Sequence, residues 1–162
     1  MAELLTQYFN SLLVTMAVLA VVVYVALHFV TAGYGMMYNK RWGLTVNNRL
    51  GWVLMEAPAF IVMFALWWAS GRRFEAAPMV MAMLFLLHYF QRSFIFPMLI
   101  RGKGRMPWSI ILMGVIFNSI NAVMQGGWIF YVSAPDRYPA SWLYSPQFII
   151  GVLVFFTGMA IN

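Results

Sequence analysis

Long apolar runs separated by short polar segments dominate the chain. A membrane-spanning helix needs about 20 mostly apolar residues. No stretch alternates polar and apolar residues with a period of two, which favours helices over strands. The pattern predicts an all-α fold, a polytopic transmembrane helical bundle with four full spanning helices plus the start of a fifth. The four full runs lie at about Leu12–Thr31, Trp52–Ser70, Pro78–Ile100 and Ser109–Ser133, and the fifth begins near Pro146.

The fifth apolar run stops with the chain. Its sequence, QFIIGVLVFFTGMAIN, ends at Asn162 inside an apparent helix and is shorter than a full span. We therefore expect residues 1–162 to form a single transmembrane domain that is incomplete at its C-terminus, in a natural protein that continues beyond Asn162.

The composition indicates that lipid is the surrounding solvent. The chain is 64% hydrophobic and 9% charged, whereas soluble domains carry roughly 25% charged residues. It contains no cysteine, which excludes disulfides, thiolate metal sites and a cysteine nucleophile. The N-terminal segment MAELLTQYFN has no Lys or Arg. A secretory signal peptide needs a basic start, so the first run is predicted to be a retained helix.

The distribution of basic residues predicts an orientation. The net charge of +6 lies mainly in the loops, where it reports topology or phosphate binding rather than nucleic-acid binding. The loops after the first and third spans hold six Lys and Arg residues, and the other two loops hold three. The positive-inside rule then places the first and third loops in the cytoplasm and the N-terminus outside. The six residues are Lys40, Arg41, Arg49, Arg101, Lys103 and Arg105.

Glu56 is the most informative polar residue in an apolar run, because ionisable groups in spanning helices are costly and commonly functional. No basic residue lies within one helical turn of it in the sequence. A carboxyl group that carries its proton can donate a hydrogen bond, which suits it to polarise a substrate carbonyl. The alternative is a structural carboxyl group paired with an arginine or a helix end.

The third run places Tyr89 and Arg92 on one helix face with Phe85 and Phe96. The Tyr89 hydroxyl lies near mid-membrane and needs a hydrogen-bond partner. Arg92 could bind an anion, or extend its charged group to the membrane interface. Packing between helices for Tyr89 and membrane anchoring for Arg92 remain open alternatives.

A polar stripe follows the fourth run at Gly114, Asn118, Asn121 and Gln125. These positions share one helix face, which lipid would not tolerate, so we expect the stripe to point into the bundle. Small and amide residues also hold membrane helices together. We interpret Gly114 and Asn118 as packing residues and leave the roles of Asn121 and Gln125 open.

The loop RGKGR, residues 101–105, alternates glycine with basic residues. Glycine allows close backbone approach, and Arg or Lys binds phosphate, although a cytoplasmic loop has the same composition. There is no GxGxxG or Walker motif, so a nucleotide site here is neither Rossmann nor P-loop in type. His28 and His88 have no partners that suggest haem, and HExxH is missing, so we predict no metal site. From the location of the positive charge in the loops, we also predict no nucleic-acid partner.

Several segments carry a family resemblance. They are WVLMEAPAF at 52–60, HYFQRSFIFPMLIRGK at 88–103, Asn121 with Gln125–Gly126, Tyr138–Pro139 with Trp142, and the closing GMAIN. In this order they resemble the steroid 5α-reductase family, the 3-oxo-5α-steroid 4-dehydrogenases. The resemblance covers nearly all of the chain from Trp52 onward and corresponds to the N-terminal membrane portion of a family with seven helices.

The resemblance implies a membrane enzyme that uses NADPH to reduce the C=C bond of a 3-oxo-Δ4 steroid, with hydride transfer to the β-carbon. In that mechanism Glu56 and Tyr89 polarise the 3-keto oxygen. Trp52 and Phe117 are implied as substrate-binding residues. The implied NADPH contacts are Arg92, Arg101, Arg105, Asn121 and Asn162.

The chain departs from the family pattern at Phe96, where a tyrosine near the cofactor is expected, and at Ile100 and Met113. One alternative is therefore a related reductase of another enone or enoyl lipid, such as a polyprenal or an acyl thioester. Another is a non-catalytic lipid-binding membrane fragment. Besides its apolar substrate, the expected partner is the lipid bilayer. Nothing resembles a retention signal, which favours a bacterial inner membrane over the endoplasmic reticulum.

Overall fold

The structure is a computed structural model that describes residues 2–30 and 42–161. In this part of the chain, six α-helices and two short strands follow one another. Short π-helical turns, Gln91–Ile95 and Trp128–Val132, follow α3 and α5, and a 3₁₀ turn, Ala140–Tyr144, precedes α6. The elements are α1 (Ala2–Ala26), β1 (Thr45–Asn47), α2 (Asn48–Ala69), α3 (Ala76–Phe90), α4 (Phe96–Leu99), β2 (Arg105–Pro107), α5 (Trp108–Gly127) and α6 (Pro146–Ile161).

In the described part of the chain, four continuous helical segments are long and apolar enough to cross a membrane. They are Glu3–Ala26, Asn48–Ala69, Ala76–Leu99, which includes the first π-helical turn, and Trp108–Val132, which includes the second. The helix Pro146–Ile161 is apolar but shorter. Among the described residues, the predicted bundle of four full spanning helices plus the start of a fifth is therefore confirmed.

The first helix differs from its predicted bounds. It begins at Ala2 rather than near Leu12 and ends at Ala26, while Thr31 lies outside the described residues. Glu3 lies in its first turn, where a negative charge interacts favourably with the helix N-terminus. An apolar run marks the part of a helix that suits lipid, whereas the helix itself continues into polar sequence.

A small antiparallel ribbon, β1 paired with β2, was not predicted. Thr45 pairs with Pro107 and Asn47 with Arg105. The Arg105 side chain donates to the Thr45 hydroxyl at 2.6 Å and to its carbonyl at 2.9 Å. Strands of three residues are too short to show a period of two, and their pairing depends on contacts far apart in sequence. The ribbon brings the first and third loops together at one end of the bundle.

Helix α2 lies centrally and packs against α5 and α3. Two glycines of α5 allow a close crossing. A Cβ atom at Gly114 would overlap the Met55 side chain, and one at Gly126 would lie 2.9 Å from Leu66 Cδ1. The main buried apolar cluster between these helices consists of Met63, Ala82, Leu86, Ala122, Ile129 and Phe130. The crossing brings the polar face of α5 against the backbone of α2.

Arg72 fixes the opposite end of the bundle. Its guanidinium donates to the Ile129 carbonyl at 3.0 Å and the Ser133 carbonyl at 3.2 Å, and it pairs with Glu75 at 2.9 Å. These carbonyls lie at the end of the helical segment that follows α5, where backbone acceptors lack helical partners. The loop between α2 and α3 is thereby tied to the end of α5.

Candidate functional site

Glu56 lies on the inner face of α2 and is 3% exposed. Its Oε1 atom pairs with Arg92 Nε at 2.9 Å, and its Oε2 atom accepts from the Asn118 amide nitrogen at 3.3 Å. An arginine partner is the alternative that the sequence left open for this carboxyl group. That partner comes from another spanning segment, so neighbouring sequence positions could not reveal it. The arrangement places a buried carboxyl group between a cation and a neutral donor.

Arg92 reaches Glu56 from the π-helical turn Gln91–Ile95. Phe96 N–H donates to the Gln91 carbonyl, which inserts an extra residue into the helix, a feature that is frequent at functional sites. The Arg92 guanidinium lies 5.2 Å from the Trp52 ring centroid, a cation–π distance. Phe96 meets the same ring edge-on at 5.2 Å. Trp52 and Arg92 are thus brought together beside Glu56.

Tyr89 lies on α3 in a half-buried position. Its hydroxyl donates to Asn118 Oδ1 at 3.4 Å and accepts from Asn121 Nδ2 at 2.9 Å. Its ring packs against Phe85 with centroids 4.6 Å apart. The two residues implied to polarise a ketone, Glu56 and Tyr89, are therefore linked through a shared neighbour, Asn118.

The polar stripe of α5 enters the bundle only in part. Asn118 is 5% exposed and also donates to the Met55 carbonyl at 2.8 Å, and Asn121 bonds to Tyr89. Gln125 is exposed, so the expectation that the whole stripe points inward is wrong at this end. At that level Gly126 faces α2, which turns Gln125 towards a groove beside Phe9 and Trp128.

Phe117 lies away from this cluster. It is 56% exposed and lines an apolar groove of about 340 Å³ with residues of α1, among them Leu19 and Val23. It precedes Asn118, so successive positions on the helix carry the two side chains to different faces. The structure therefore places Phe117 beside α1 and Trp52 beside Arg92.

Four basic residues of the described chain lie at the ribbon end of the bundle. Arg101, Lys103 and Arg105 are exposed, and Arg49 donates to the Ile100 carbonyl at 2.9 Å. Guanidinium and ammonium groups of this kind suit phosphate binding, so the donor set at this end fits a ligand that carries phosphate. Asn121 contacts Tyr89 rather than this end. The remaining implied contact, Asn162, lies outside the described residues, as do Lys40 and Arg41.

Asn118 is the site residue whose role the sequence did not reveal. The spacing of the stripe identified its helix face, and that signal was interpreted as packing. Its contacts with Met55, Glu56 and Tyr89 depend on how closely α2 and α5 cross. Gly114 allows the close crossing, because a Cβ atom there would overlap the Met55 side chain. An amide beside a glycine at i−4 on a buried face is the pattern that could have pointed to it.

Comparisons with known proteins agree with the motifs. The family model described as 3-oxo-5-alpha-steroid 4-dehydrogenase matches residues 104–162. A steroid 5-alpha-reductase of Gossypium hirsutum is 30% identical over 95% of this chain and 60% of its own length. The 3-oxo-5-alpha-steroid 4-dehydrogenase 1 of Bos taurus is 32% identical over 89% of this chain and 56% of its own length. The 3-oxo-5-alpha-steroid 4-dehydrogenase 2 of Homo sapiens is 36% identical over 70% of this chain and 44% of its own length.

These matches confirm the resemblance to the steroid 5α-reductase family over most of the chain. The chain spans at most 60% of the length of these relatives. The matches therefore cover only a part of each relative.

Proposed function

We propose that this chain, a relative of the steroid 5α-reductases, forms the substrate-binding part of a membrane enzyme that uses NADPH to reduce the C=C bond of a 3-oxo-Δ4 steroid. One structural observation carries the proposal. Glu56 and Tyr89 come from different helices, and both hydrogen-bond to the single side chain of Asn118. A carboxyl group and a phenol that converge in a membrane interior suit the polarisation of one carbonyl oxygen.

Tyr89 is suited to donate to the ketone. Its hydroxyl oxygen is held by Asn121 at 2.9 Å, while its hydrogen faces Asn118 Oδ1 at 3.4 Å. A contact of that length is weak, so the hydrogen can turn to a substrate oxygen at small cost. Donation to the oxygen stabilises the enolate that develops when the β-carbon receives hydride.

Glu56 supplies the second proposed donor. A carboxylate can only accept hydrogen bonds, so Glu56 must carry a proton to bond a ketone oxygen. The ion pair with Arg92 at 2.9 Å must then be given up. An anionic cofactor favours this exchange, because its phosphates attract the guanidinium. Arg92 thus connects the carbonyl end of the proposed site with the cofactor end.

NADPH, when bound, supplies the hydride that adds to the β-carbon, and a proton adds to the α-carbon to complete the saturated ketone. We propose Arg92, Arg101 and Arg105 as phosphate contacts and Asn162 as a further contact with the cofactor. Arg101 and Arg105 are exposed at one end of the bundle, which supports this role. The bond from Asn121 to Tyr89 supports a role in holding the tyrosine.

Trp52 and Phe117 are proposed to wall the apolar substrate. Trp52 lies against Arg92, near the carbonyl end, and Phe117 lines the groove beside α1. The apolar lining of this groove suits a substrate that is itself apolar. We further propose a bacterial inner membrane as the location, with the N-terminus outside and the ribbon end in the cytoplasm.

The test is NADPH oxidation by the full-length protein in membranes when a 3-oxo-Δ4 steroid is added. We expect Glu56→Gln and Tyr89→Phe each to lower kcat by about 100–1000-fold, as loss of an oxyanion donor does in other enzymes. The matched control is Tyr144→Phe, because Tyr144 is 82% exposed outside the spanning helices. Wild-type turnover in both site variants would refute the assigned roles. NADPH oxidation only with a polyprenal or an enoyl thioester would show that such a lipid, and not a steroid, is the substrate. No NADPH oxidation with any of these compounds would favour a lipid-binding fragment.

A further inference from the structure

The Asn118 side chain lies between the two groups proposed to polarise the ketone. From α5, its amide nitrogen donates to the Met55 carbonyl at 2.8 Å and to Glu56 Oε2 at 3.3 Å. Its amide oxygen accepts from the Tyr89 hydroxyl at 3.4 Å. One planar amide therefore joins α2 and α3, and it is 5% exposed.

The backbone fixes which way this amide points. The Met55 carbonyl can only accept a hydrogen bond, so the nitrogen of Asn118 must face α2. A flipped amide would set its oxygen against that carbonyl and leave buried acceptors unpaired, which costs about 1–3 kcal/mol each. The amide oxygen is consequently turned towards α3, where it meets Tyr89.

This orientation also directs the Tyr89 hydrogen. Asn121 Nδ2 already donates to the hydroxyl oxygen at 2.9 Å, so the hydroxyl hydrogen is free to point at the other amide, that of Asn118. Asn118 in turn contacts Glu56. The Tyr89 hydroxyl and the Glu56 carboxyl group thus contact the two ends of one rigid amide, its oxygen and its nitrogen.

We propose that Asn118 is a positioning residue. It holds the Glu56 carboxyl group and the Tyr89 hydroxyl in fixed positions relative to each other, so that both hydrogen-bond to one ketone oxygen. Asn118 acts through these two groups and contributes no bond to the ketone itself. The inference rests on the proposed function above. It assigns Asn118 more than the packing role that its place in the stripe suggested.

The first test replaces Asn118 with leucine, which is similar in size but lacks donor and acceptor. We expect Asn118→Leu to lower kcat for a 3-oxo-Δ4 steroid by about 10–100-fold, the size of effect seen when residues that orient metal ligands are lost, with the KM for NADPH unchanged. The matched control is Asn10→Leu, the same substitution at an exposed position of α1, which should leave both constants at wild-type values. An unchanged kcat in Asn118→Leu would overturn the inference.

The second test separates positioning from packing. If Asn118 acts through Tyr89, the loss in kcat caused by Asn118→Leu must shrink at least threefold in a Tyr89→Phe background, because interacting residues are not additive. A loss of the same size in both backgrounds would overturn the proposal that Asn118 positions the two groups together. Asn118→Ala serves in the same cycle if the leucine variant does not accumulate in membranes.

The two proposals fail in different ways. If Glu56→Gln and Tyr89→Phe both leave turnover at the wild-type level, the proposed function has failed and the inference about Asn118 falls with it. If both lower kcat while Asn118→Leu does not, or does so additively, only the positioning role is overturned.

Discussion

Arg92 shows how much one residue in this bundle depends on its partners. It pairs with Glu56 at 2.9 Å and lies over Trp52, while its own side chain is 32% exposed. Removing one member of a buried ion pair leaves an uncompensated charge, whereas removing both can be nearly neutral. The stability effect of a change at Arg92 should therefore depend on the residue at position 56.

This dependence gives a prediction. We expect Arg92→Met to lower the free energy of unfolding by about 1–3 kcal/mol, less than for a fully buried pair because Arg92 is partly exposed. Adding Glu56→Gln should recover most of that loss, since the orphaned carboxylate is gone. Thermal unfolding of purified protein in detergent measures the stability of Arg92→Met, of Glu56→Gln and of the double variant. A double variant that is destabilised by the sum of its single changes would contradict the pairing.

The sequence identified the polar residues of the site but not their partners. Glu56 stood out because ionisable groups are rare in apolar runs, and Tyr89 because its hydroxyl near mid-membrane needs a hydrogen-bond partner. The pairing of Glu56 with Arg92, and the bridge through Asn118, join residues from separate helices. Such contacts depend on the depth and rotation of packed helices, which residue spacing within one helix does not determine.

At the scale of elements, the crossing of α2 and α5 sets the geometry of the site. Gly114 lies against Met55, whose carbonyl receives the Asn118 amide one helical turn further along α5. A larger residue at Gly114 pushes the helices apart at this contact. The crossing therefore couples stability to the position of Asn118.

We expect Gly114→Ala to destabilise the protein by about 1–3 kcal/mol, the usual cost of overpacking, and to lower kcat with it. The matched control is Gly151→Ala in α6, where an added Cβ meets nothing within 4 Å. That change should be neutral or slightly stabilising, because alanine favours helix more than glycine does. Equal melting temperatures for Gly114→Ala and the wild type would show that the crossing is looser than described.

Helices were predictable where long apolar runs specify them, and smaller elements were not. Helices α2 and α5 begin within four residues of their predicted starts. The π-helical turn at Gln91–Ile95 adds a residue that a constant helical period cannot anticipate. The ribbon of β1 and β2 depends on pairing between distant loops. Gln125 was wrongly predicted to point into the bundle, because one face of a helix meets different neighbours along the length of that helix.

At the scale of the whole molecule, the ribbon lies at the end of the described bundle that carries four basic residues, Arg49, Arg101, Lys103 and Arg105. Arg72 ties the loops at the other end. The positive-inside rule predicts that the ribbon end faces the cytoplasm, in agreement with the proposed cofactor end.

Residues 1–162 contain no cysteine, so a cysteine introduced among them reports this orientation against the protein without that change as the background control. We expect Lys103→Cys to react with an impermeant maleimide only from the cytoplasmic face, and Arg137→Cys only from the outer face. Intact spheroplasts and inverted membrane vesicles expose the two faces separately. The reverse labelling pattern would contradict the proposed topology.

The most direct test of the proposed activity follows the hydride. The full-length protein in membranes is given a 3-oxo-Δ4 steroid and NADPH that carries deuterium at the transferable position, and the product is analysed by mass spectrometry and NMR. We predict a saturated ketone with one deuterium on the former β-carbon, formed at a greatly reduced rate by Tyr89→Phe. An unreduced steroid, or deuterium at the carbonyl carbon of an alcohol product, would contradict the reduction of an enone at this site.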